Sequence, residues 1–552
     1  MDSMTRKAPL ALLAAALLVV GVLTLVLTAE LTFYQDTWDY LINRRAITAD
    51  SLLMPHSEHI VVIPVAIEQL FLRLFGMTTA LPEYVLLTAM LLVAAFLLFV
   101  YMRRRVGSWL ALFGAVLLLC LGPAWEVLLW PFEICFVGSV IFGIAMLLAL
   151  DRNDRRGDIA ACAFLVVAFG FSELGIPFAA AGAVYLFQGR RERGLGRAYL
   201  VAVPAALYAA WWLGWGHDAE SHLSLHNVLA SPEWVANGVA MAVGSLVGLD
   251  TNTLNGPTDP VWGRAILVVL VAVLIHRQLR KPGFPSGFWP VAAAATANWF
   301  LGAFNQAPGR DPTASRYQYA GAIFVLLLSA NLLQGVRLSK RGVLIGAALT
   351  LIAIGPGLVV LKEAKGKLQE QTVFTRADLG ALEIAKRTVD PNFGLTPEVA
   401  GTPSLVNVTA GQYLTAVDEY GSPAYSPAEL LRAPEQGRRQ ADIVLSQALP
   451  ISTVTRLGAY SSDGGGENCV SVPAGGTSGT SGIPVSGGLT RIEVSPGPPA
   501  SFSLRRFAVG EYPVPTKGAP GGSVTVLRIP PDSVSRPWHL DVDARQPARV
   551  CR

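Results

Sequence analysis

Charged residues are scarce in this chain. They make up only 15% of its 552 residues, whereas hydrophobic residues make up 52%. The mean hydropathy is +0.46. This balance argues against a soluble globular enzyme and is typical of a polytopic membrane protein. The net charge of +4 is small, and the basic residues lie in short clusters, so the pattern does not indicate nucleic-acid binding.

Several common sequence motifs are also missing. The chain has no GxxxxGK[ST] phosphate loop, no GxGxxG that opens a predicted helix, and no GxSxG. Soluble nucleotide use and serine-hydrolase chemistry are therefore unsupported. The first apolar run, Leu10–Thr28, is too long for a signal peptide, and no clear cleavage site follows it, so we expect a retained first helix.

Eleven apolar stretches are long enough to cross a membrane, or nearly so. They fall near 8–28, 83–102, 108–122, 134–150, 159–171, 174–188, 198–214, 261–276, 287–304, 318–335 and 343–362. With the N-terminus in the cytoplasm, six basic clusters lie inside, as the positive-inside rule requires. These are Arg6-Lys7, Arg103–Arg105, Arg152–Arg156, Arg190–Arg197, His276–Lys281 and Arg337–Arg341. Arg44-Arg45 is the exception, and the region after residue 362 lies outside.

Two stretches leave alternatives. Residues 159–188 can be one long helix or a tight hairpin with Ser172-Glu173 at its outer turn. The hairpin is preferred because one crossing would place Arg190–Arg197 outside. Residues 233–249 are apolar enough to cross, but a crossing there would place His276–Lys281 outside. We therefore expect an interfacial or re-entrant segment.

The predicted outer loops carry almost all the chemically useful side chains, and the helix interiors carry essentially no ionisable residues. A proton- or ion-coupled transporter usually has such groups near the bilayer midplane. The outer groups are Asp36, Asp39, His56, Glu58, His59, Glu126, Glu133, Glu173, His217, Asp218, His222, His226, Arg310, Asp311 and Arg316. This asymmetry predicts that the chemistry takes place at the outer face.

The first outer loop, residues 29–82, is the densest part of this set. Asp36 and Asp39 share one face if the segment after Tyr34 is helical, and they could accept a proton or hold a divalent cation. The alternative for Asp36 is a helix N-cap. His56, Glu58 and His59 suit metal ligation or phosphate contacts, although their spacing matches no standard zinc motif.

The alternative for these three residues is a hydrogen-bonded loop that starts the next helix. That helix is predicted over 64–75, with Pro64 in its first turn and Gly76 after its end. Its mixed composition suits an interfacial helix.

Three other outer segments offer candidates. Arg310, Arg316 and Tyr317 lie near the start of a predicted helix, and a guanidinium suits a phosphate because it donates two hydrogen bonds at once. The alternative is aromatic–arginine anchoring at the interface. Trp130 and Glu133 belong to an outer turn. The histidines at 217, 222 and 226 could bind a metal but are more often solvated.

The composition changes after Lys362. Helices are predicted over 376–389 and 426–445, followed by short strands that suggest an antiparallel β-sandwich. The strands are predicted over 469–472, 490–494, 501–507, 523–529 and 538–542, with flexible, turn-rich loops at 463–466 and 475–488.

The predicted fold is thus a polytopic α-helical membrane protein with an extracytoplasmic β-rich domain. It comprises residues 1–362 as the membrane domain, 363–450 as a linking helical part and 451–552 as the β-rich part. Cys469 and Cys551 are predicted to pair because an exported domain lies in an oxidising compartment. The alternative is two free buried thiols.

A family resemblance rests on three segments. The acidic Asp36-Thr-Trp segment, the string Pro55-His-Ser-Glu-His59 and the helix that ends in Leu74-Phe-Gly76 resemble the GT-C superfamily of integral-membrane glycosyltransferases. Many bacterial members carry a Pro-His-Asn-Glu-His-like string at this loop, where Ser57 stands in place of the Asn. Trp130-Pro-Phe-Glu133 and Ser315-Arg-Tyr317 are similar as well.

The resemblance implies sugar transfer from a polyprenyl-phosphate donor outside a bacterial plasma membrane, with inversion at the anomeric carbon. The acceptor would be an envelope glycan, a lipid or a protein. Asp36 would be the general base, and Glu58 and His59 would shape the acceptor or metal site. Arg316, with Arg310 and Tyr317, would stabilise the departing lipid phosphate.

Asp39, His56, Trp130, Glu133 and Glu173 would line the acceptor pocket. A divalent cation (Mg, Mn or Ca) would bind near Asp36, His56 and Glu58 in those members that need one. The C-terminal domain would bind carbohydrate.

Two rival functions are also compatible with the sequence. One is a transporter or flippase of lipid-linked glycans, which the lack of charge within the helices disfavours. The other is a non-catalytic membrane scaffold that holds envelope glycan through its C-terminal domain.

Overall fold

A computed structural model describes residues 3–193, 195–280, 282–395, 408–457, 469–475, 482–509 and 519–551. The chain forms two compact units. The first unit comprises residues 1–30, 46–71 and 81–367. The second unit comprises residues 31–45, 72–80 and 368–552, so it takes two pieces of the predicted first outer loop together with the C-terminal region.

Helices dominate the first unit, and each of the eleven predicted spans falls on one. The helices are α1 Ser3–Thr28, α2 Ala49–Leu53, α3 Val62–Phe75, α4 Leu81–Val106, α5 Ser108–Leu119, α6 Trp125–Leu129, α7 Ile134–Leu150, α8 Arg155–Phe171, α9 Gly175–Arg193, α10 Tyr199–Gly214, α11 Leu225–Leu246, α12 Val261–Arg280, α13 Phe288–Phe304, α14 Ser315–Leu332 and α15 Lys340–Ala385. The polytopic helical fold is therefore confirmed.

Within the described residues, five helices are long and apolar enough to cross a membrane. They are Lys7–Thr28, Leu81–Val106, Pro131–Leu150, Val261–Arg280 and Lys340–Ala385. The pair Ser108–Leu119 and Gly122–Leu129, bent by 47°, makes a sixth if it forms one span. Gly175–Gln188 and Tyr199–Gly214 are shorter apolar helices. Residues 233–249, predicted as interfacial or re-entrant, belong largely to α11.

The structure divides residues 159–188 into two helices, because the chain breaks at Ser172. The Ser139 hydroxyl of α7 donates a hydrogen bond to the Ala168 carbonyl oxygen at 2.6 Å and lies 2.9 Å from the Ser172 hydroxyl. These bonds satisfy polar groups at the end of α8, where helical partners are missing. Glu173 lies in the turn between the two helices.

Two glycines allow α15 to cross the bend between α5 and α6 at close range. A Cβ atom added at Gly122 would lie 1.9 Å from the Gly357 carbonyl oxygen. A Cβ atom added at Gly357 would lie 2.5 Å from the Cys120 carbonyl oxygen. Any larger side chain would push the backbones apart.

The boundary between the units differs from the boundary predicted at residue 362. α15 continues without a break to Ala385, and the unit changes between Lys367 and Leu368. The predicted helix over 376–389 is the end of α15, and the one over 426–445 is two helices. The remaining helices of the second unit are α16 Ala410–Tyr420, α17 Pro427–Leu430 and α18 Glu435–Ala448.

Among the described residues of the second unit, eight strands form two antiparallel sheets. They are β1 Ser452–Leu457, β2 Cys469–Val472, β3 Ile483–Val485, β4 Gly488–Val494, β5 Ser501–Arg505, β6 Ser523–Ile529, β7 Trp538–Asp543 and β8 Ala548–Cys551. The sheet orders are β1-β6-β4-β8-β2 and β3-β7-β5. The β-rich C-terminal region is therefore confirmed.

Sequence periodicity did not indicate β1, β3 and β8. The strand β3 lies inside the loop predicted over 475–488. The loop predicted over 463–466, and residues 476–481 of the other loop, lie outside the described residues.

Cys469 and Cys551 are joined by a disulfide bond. They face each other at the paired ends of β2 and β8. The two cysteines are 82 positions apart, and the described strands from β2 to β8 lie within the loop that the bond closes. Cys120, Cys135 and Cys162 are free thiols.

Candidate functional site

A tight turn after Pro55 presents the first group of site residues. The His56 and His59 backbones exchange two hydrogen bonds, His56 N to His59 O at 3.0 Å and His59 N to His56 O at 2.8 Å. Ser57, inside the turn, has a φ of +52°, in the left-handed region. This geometry directs the chain back on itself immediately before α3.

Glu58 forms a forked ion pair with Arg310. One carboxylate oxygen accepts from Nη1, and the other accepts from Nη2 at 2.7 Å. The two residues are 252 positions apart in the sequence, and their side chains are 15% and 18% exposed. A forked guanidinium–carboxylate pair fixes both side chains in orientation as well as in position.

His59 lies between two carboxylates. Its Nδ1 is 2.7 Å from Glu173 Oε2, and its Nε2 is 3.5 Å from Glu58 Oε1. Burial would lower the pKa of His59, but Glu173 and then Glu58 outweigh burial and raise that pKa above its usual value. Burial would likewise raise the pKa of Glu58, but His59 and Arg310 hold it below its usual value.

These two shifts have opposite consequences for stability. The charged imidazole stabilises the fold at low pH, and this contribution is lost as pH rises through the raised pKa of His59. The Glu58 contribution is present at high pH and is lost as pH falls through its lowered pKa. We call the cluster of Glu58, His59, Glu173 and Arg310 the outer cluster.

Arg316 and Tyr317 occupy the first turn of α14. The Arg316 backbone N–H donates to the Glu126 carboxylate at 3.0 Å, and the Glu126 backbone N–H donates to the Ser315 hydroxyl at 3.0 Å. The Arg316 guanidinium donates to the Gly309 carbonyl oxygen at 2.9 Å, next to Arg310 in the chain. Both predicted phosphate-binding arginines are therefore held at one loop.

The outer turn at Trp130 also contacts the histidine loop. Trp130 stacks on Phe132 with ring centroids 5.1 Å apart, and Phe132 is 5.1 Å from the His56 ring. Glu133 is only 1% exposed. The predicted pocket residues Trp130, His56 and Glu133 thus form an aromatic wall with one buried acid.

A small apolar cleft, with a volume of about 20 Å³, lies near the start of α14. Tyr319 lines the cleft, and residues three apart share a helix face. Leu128 and Leu129 also line it, directly after the Glu126 turn that holds Arg316. α1, α4, α5 and α15 supply the rest of its wall. The wall of the cleft is mainly apolar.

Asp36 and Asp39 belong to the second compact unit. Asp36 precedes a short π-helix, Asp39–Asn43, and its carbonyl oxygen accepts from the Asp39 N–H at 3.1 Å. The Asp39 carboxylate accepts from Arg44 Nε and from the Asn43 amide, each at 3.0 Å. Arg44, one of the two basic residues that broke the charge rule, is thus neutralised locally.

A divalent cation does not fit the outer cluster as it stands. Both Glu58 oxygens are engaged by Arg310. In the part of the chain that the structure describes, no group of three or more His, Cys, Asp and Glu residues is arranged to hold a metal ion. His217 and His222 instead lie 3.5 Å and 3.7 Å from the neighbouring carboxylates of Asp218 and Glu220.

Two features of this region were not indicated by the sequence. Glu220 lies beside the outer cluster. Its backbone N–H donates a hydrogen bond to the Ser57 carbonyl oxygen at 3.2 Å, and its carboxylate lies 3.9 Å from the Arg310 guanidinium. Glu68 and Glu83 are also buried against each other, at 2% and 5% exposure. The positions of these two acids in α3 and α4 did not indicate that their side chains would lie close together.

No protein-family model matches this chain, and no curated protein matches it by sequence. Among solved structures it is similar to the crystal structure of ArnT from Cupriavidus metallidurans bound to undecaprenyl phosphate. The identity is 15% and the TM-score is 0.44, and the alignment covers 81% of this chain and 93% of that one.

Proposed function

We propose that this chain is a membrane glycosyltransferase that moves a sugar from a polyprenyl-phosphate donor to an acceptor outside the membrane. The supporting observation is that Arg316 is held at the loop of Arg310, a member of the outer cluster, while Tyr319, three residues after Arg316, lines a small apolar cleft. A polyprenyl phosphate has the matching chemistry, with a long apolar tail and an anionic head. A lipid donor also explains why no nucleotide motif is needed.

Arg316 is assigned to the donor phosphate. As the bond from the sugar C1 to the phosphate oxygen breaks, the electron pair stays on the polyprenyl phosphate, and negative charge develops there. A fixed guanidinium at the edge of an apolar region stabilises such charge strongly, because few waters compete. Arg310, whose orientation is fixed by its ion pair with Glu58, contributes to the same stabilisation of negative charge.

Asp36 is assigned as the general base. It would take the proton from the acceptor hydroxyl while that oxygen attacks C1 from the face opposite the phosphate, which inverts the anomeric configuration. His59, held by Glu173, and the wall around Trp130 would bind the acceptor. The N-terminus would be cytoplasmic and the C-terminal unit extracytoplasmic, as the basic clusters predict.

The test is donor consumption by the full chain in lipid nanodiscs, measured as release of polyprenyl phosphate from a panel of labelled polyprenyl-phosphate sugars. We expect Asp36→Asn to lower the rate by roughly 10²–10⁴-fold, the usual contribution of a general base. Arg316→Gln should lower it by roughly 10²–10³-fold, the usual contribution of one charge-stabilising group. Asp218→Asn, a matched change of an exposed outer carboxylate, should leave the rate unchanged.

Two results would count against the proposal. Unchanged transfer by the Asp36 variant would remove Asp36 from the mechanism. Movement of the lipid donor across the bilayer, without sugar release from any donor, would instead support a transporter.

A further inference from the structure

We propose that an arginine-lined cavity in the second unit binds an anionic sugar, one that carries a carboxylate or a phosphate. This goes beyond the proposed function, because binding here requires no sugar transfer. The cavity has a volume of about 490 Å³. Its polar lining comes from Arg438, Arg505, Arg506, Arg536 and His539, and its described lining includes no acid.

One buried carboxylate holds in place the backbone segment that forms one wall of the cavity. Asp442 of α18 is 2% exposed. It accepts hydrogen bonds from the backbone N–H groups of Arg506, Phe507 and Ala508, at 2.9, 3.0 and 2.9 Å. The segment that follows β5 is thereby held rigidly against α18. A rigid wall favours binding because little conformational freedom is lost when a ligand arrives.

Arg506 is part of the framework and not a free binding group. It is 4% exposed, pairs with Asp532 at 2.7 Å, and donates to the carbonyl oxygens of Val534 and Arg536. In turn, Arg536 Nε donates a hydrogen bond to the Arg506 carbonyl oxygen at 2.8 Å. These reciprocal bonds place the Arg536 side chain at the cavity wall.

Arg536 is the principal cation available to a ligand. Within the described residues it forms no ion pair, and its two terminal nitrogens have no hydrogen-bond partner. By contrast, Arg505 is paired with Asp541 at 2.8 Å, and Arg438 with Glu435 at 2.6 Å. The terminal nitrogens of Arg536 can form a forked pair with a carboxylate or a phosphate.

Two further donors converge on the same space. Arg438 is partly buried, and its Nε has no hydrogen-bond partner among the described residues. His539 Nδ1 lies 3.2 Å from the Gly482 carbonyl oxygen, which leaves Nε2 for another contact. A buried donor without a partner costs free energy that a bound oxygen atom would recover.

The size and mixed wall of the cavity favour a sugar over a simple anion. A volume of about 490 Å³ lies within the usual range for small-molecule sites and far exceeds one phosphate ion. Leu431 and Val509 expose apolar surface beside the arginines. A hexose has hydroxyl groups at its edges and an apolar C–H face, so a charged hexose complements both kinds of surface.

The experiment measures binding by isothermal titration calorimetry to the full chain in detergent micelles. The probes are glucuronate, glucose 6-phosphate, glucose and inorganic phosphate. We expect glucuronate or glucose 6-phosphate to bind at least about tenfold more tightly than glucose and inorganic phosphate, and the tighter of the two identifies the acid group.

Arg536→Gln should weaken that binding by about tenfold, the loss expected for one charge-assisted contact. Arg528→Gln is the matched control, since Arg528 is an exposed arginine of β6 outside the cavity. Arg536→Lys keeps the charge without the fork and should give an intermediate affinity.

Three results would overturn the proposal. They are the absence of binding by both charged sugars, equal binding of glucose or inorganic phosphate, and equal affinities for the Arg536→Gln and Arg528→Gln variants. Near-ultraviolet circular dichroism checks that each variant keeps its fold.

Discussion

At the scale of single residues, the histidine loop depends on charges that come from distant parts of the chain. Glu58 is fixed by Arg310, and His59 by Glu173. Ser57 occupies a left-handed backbone conformation, which Asn adopts at lower cost than most residues. Ser57 therefore adopts this turn with more strain than an Asn would.

Glu58→Gln should destabilise the first unit by roughly 2–3 kcal/mol, because it leaves the Arg310 guanidinium partly buried without its carboxylate. The double variant Glu58→Gln/Arg310→Gln should lose less stability than the two single variants lose together, since the second change removes the uncompensated charge. Chemical or thermal unfolding in detergent measures this cycle.

Glu220→Gln is the control, because the Glu220 side chain is 64% exposed and lies 3.9 Å from Arg310. It should change stability by less than about 0.5 kcal/mol. Strictly additive single-variant effects would show that Glu58 and Arg310 do not act as a pair.

At the scale of elements, the helix α3 is joined to the first turn of α4 by two acids. Glu68 and Glu83 are hydrogen-bonded to each other in a buried site. Burial raises the pKa of Glu68 to about 7. A shared proton therefore holds this helix pair together at mildly acidic pH.

Stability should fall as pH rises from about 5 to 8, because the unfolded chain releases the Glu68 proton near its usual pKa while the folded chain retains it. His59 contributes in the same direction, so the informative quantity is the difference between variants. Glu68→Gln should flatten the pH dependence by an amount on the order of 2–3 kcal/mol.

Unfolding of the wild type and of Glu68→Gln across this pH range measures that difference. Glu233→Gln, a change at an exposed acid of α11, should keep the wild-type slope. An unchanged slope in Glu68→Gln would contradict a shared proton.

At the scale of the whole molecule, the second unit is assembled from three separate stretches of chain. Two of them come from the predicted first outer loop, and they contact the C-terminal helices. The ring centroids of Trp38 and Tyr413 are 6.3 Å apart, and Gln412 Nε2 donates a hydrogen bond to Asn43 Oδ1 at 3.1 Å. The Met77 N–H donates to the Tyr420 carbonyl oxygen at 2.8 Å. Asp36 is therefore carried by the same unit as the β-sheets.

The disulfide should stabilise this unit strongly. Cys469→Ser/Cys551→Ser removes a link between two residues 82 positions apart, and we expect a loss of about 4–5 kcal/mol in the chain-entropy model. Differential scanning calorimetry with and without reductant measures the change. Cys162→Ser, a free thiol of the first unit, should melt like the wild type. A double variant that melts like the wild type would show that the bond contributes little.

The helical architecture was readable from the sequence, because a membrane-spanning helix needs a long apolar run and tolerates few charges. Each of the eleven runs produced a helix, and the break at Ser172 followed from the charge rule. The strands β2, β4, β5, β6 and β7 were readable from alternation and turn residues. β1, β3 and β8 were not, because short strands depend on partners elsewhere in the chain.

The sequence by itself determined that most ionisable groups would lie outside the long apolar helices, because charges there are costly. Only the tertiary structure decided which of them meet. It paired Glu58 with Arg310 across 252 positions, and Glu68 with Glu83. Such pairings depend on how distant segments pack, and neither local propensity nor hydrophobic periodicity encodes the distances between their side chains.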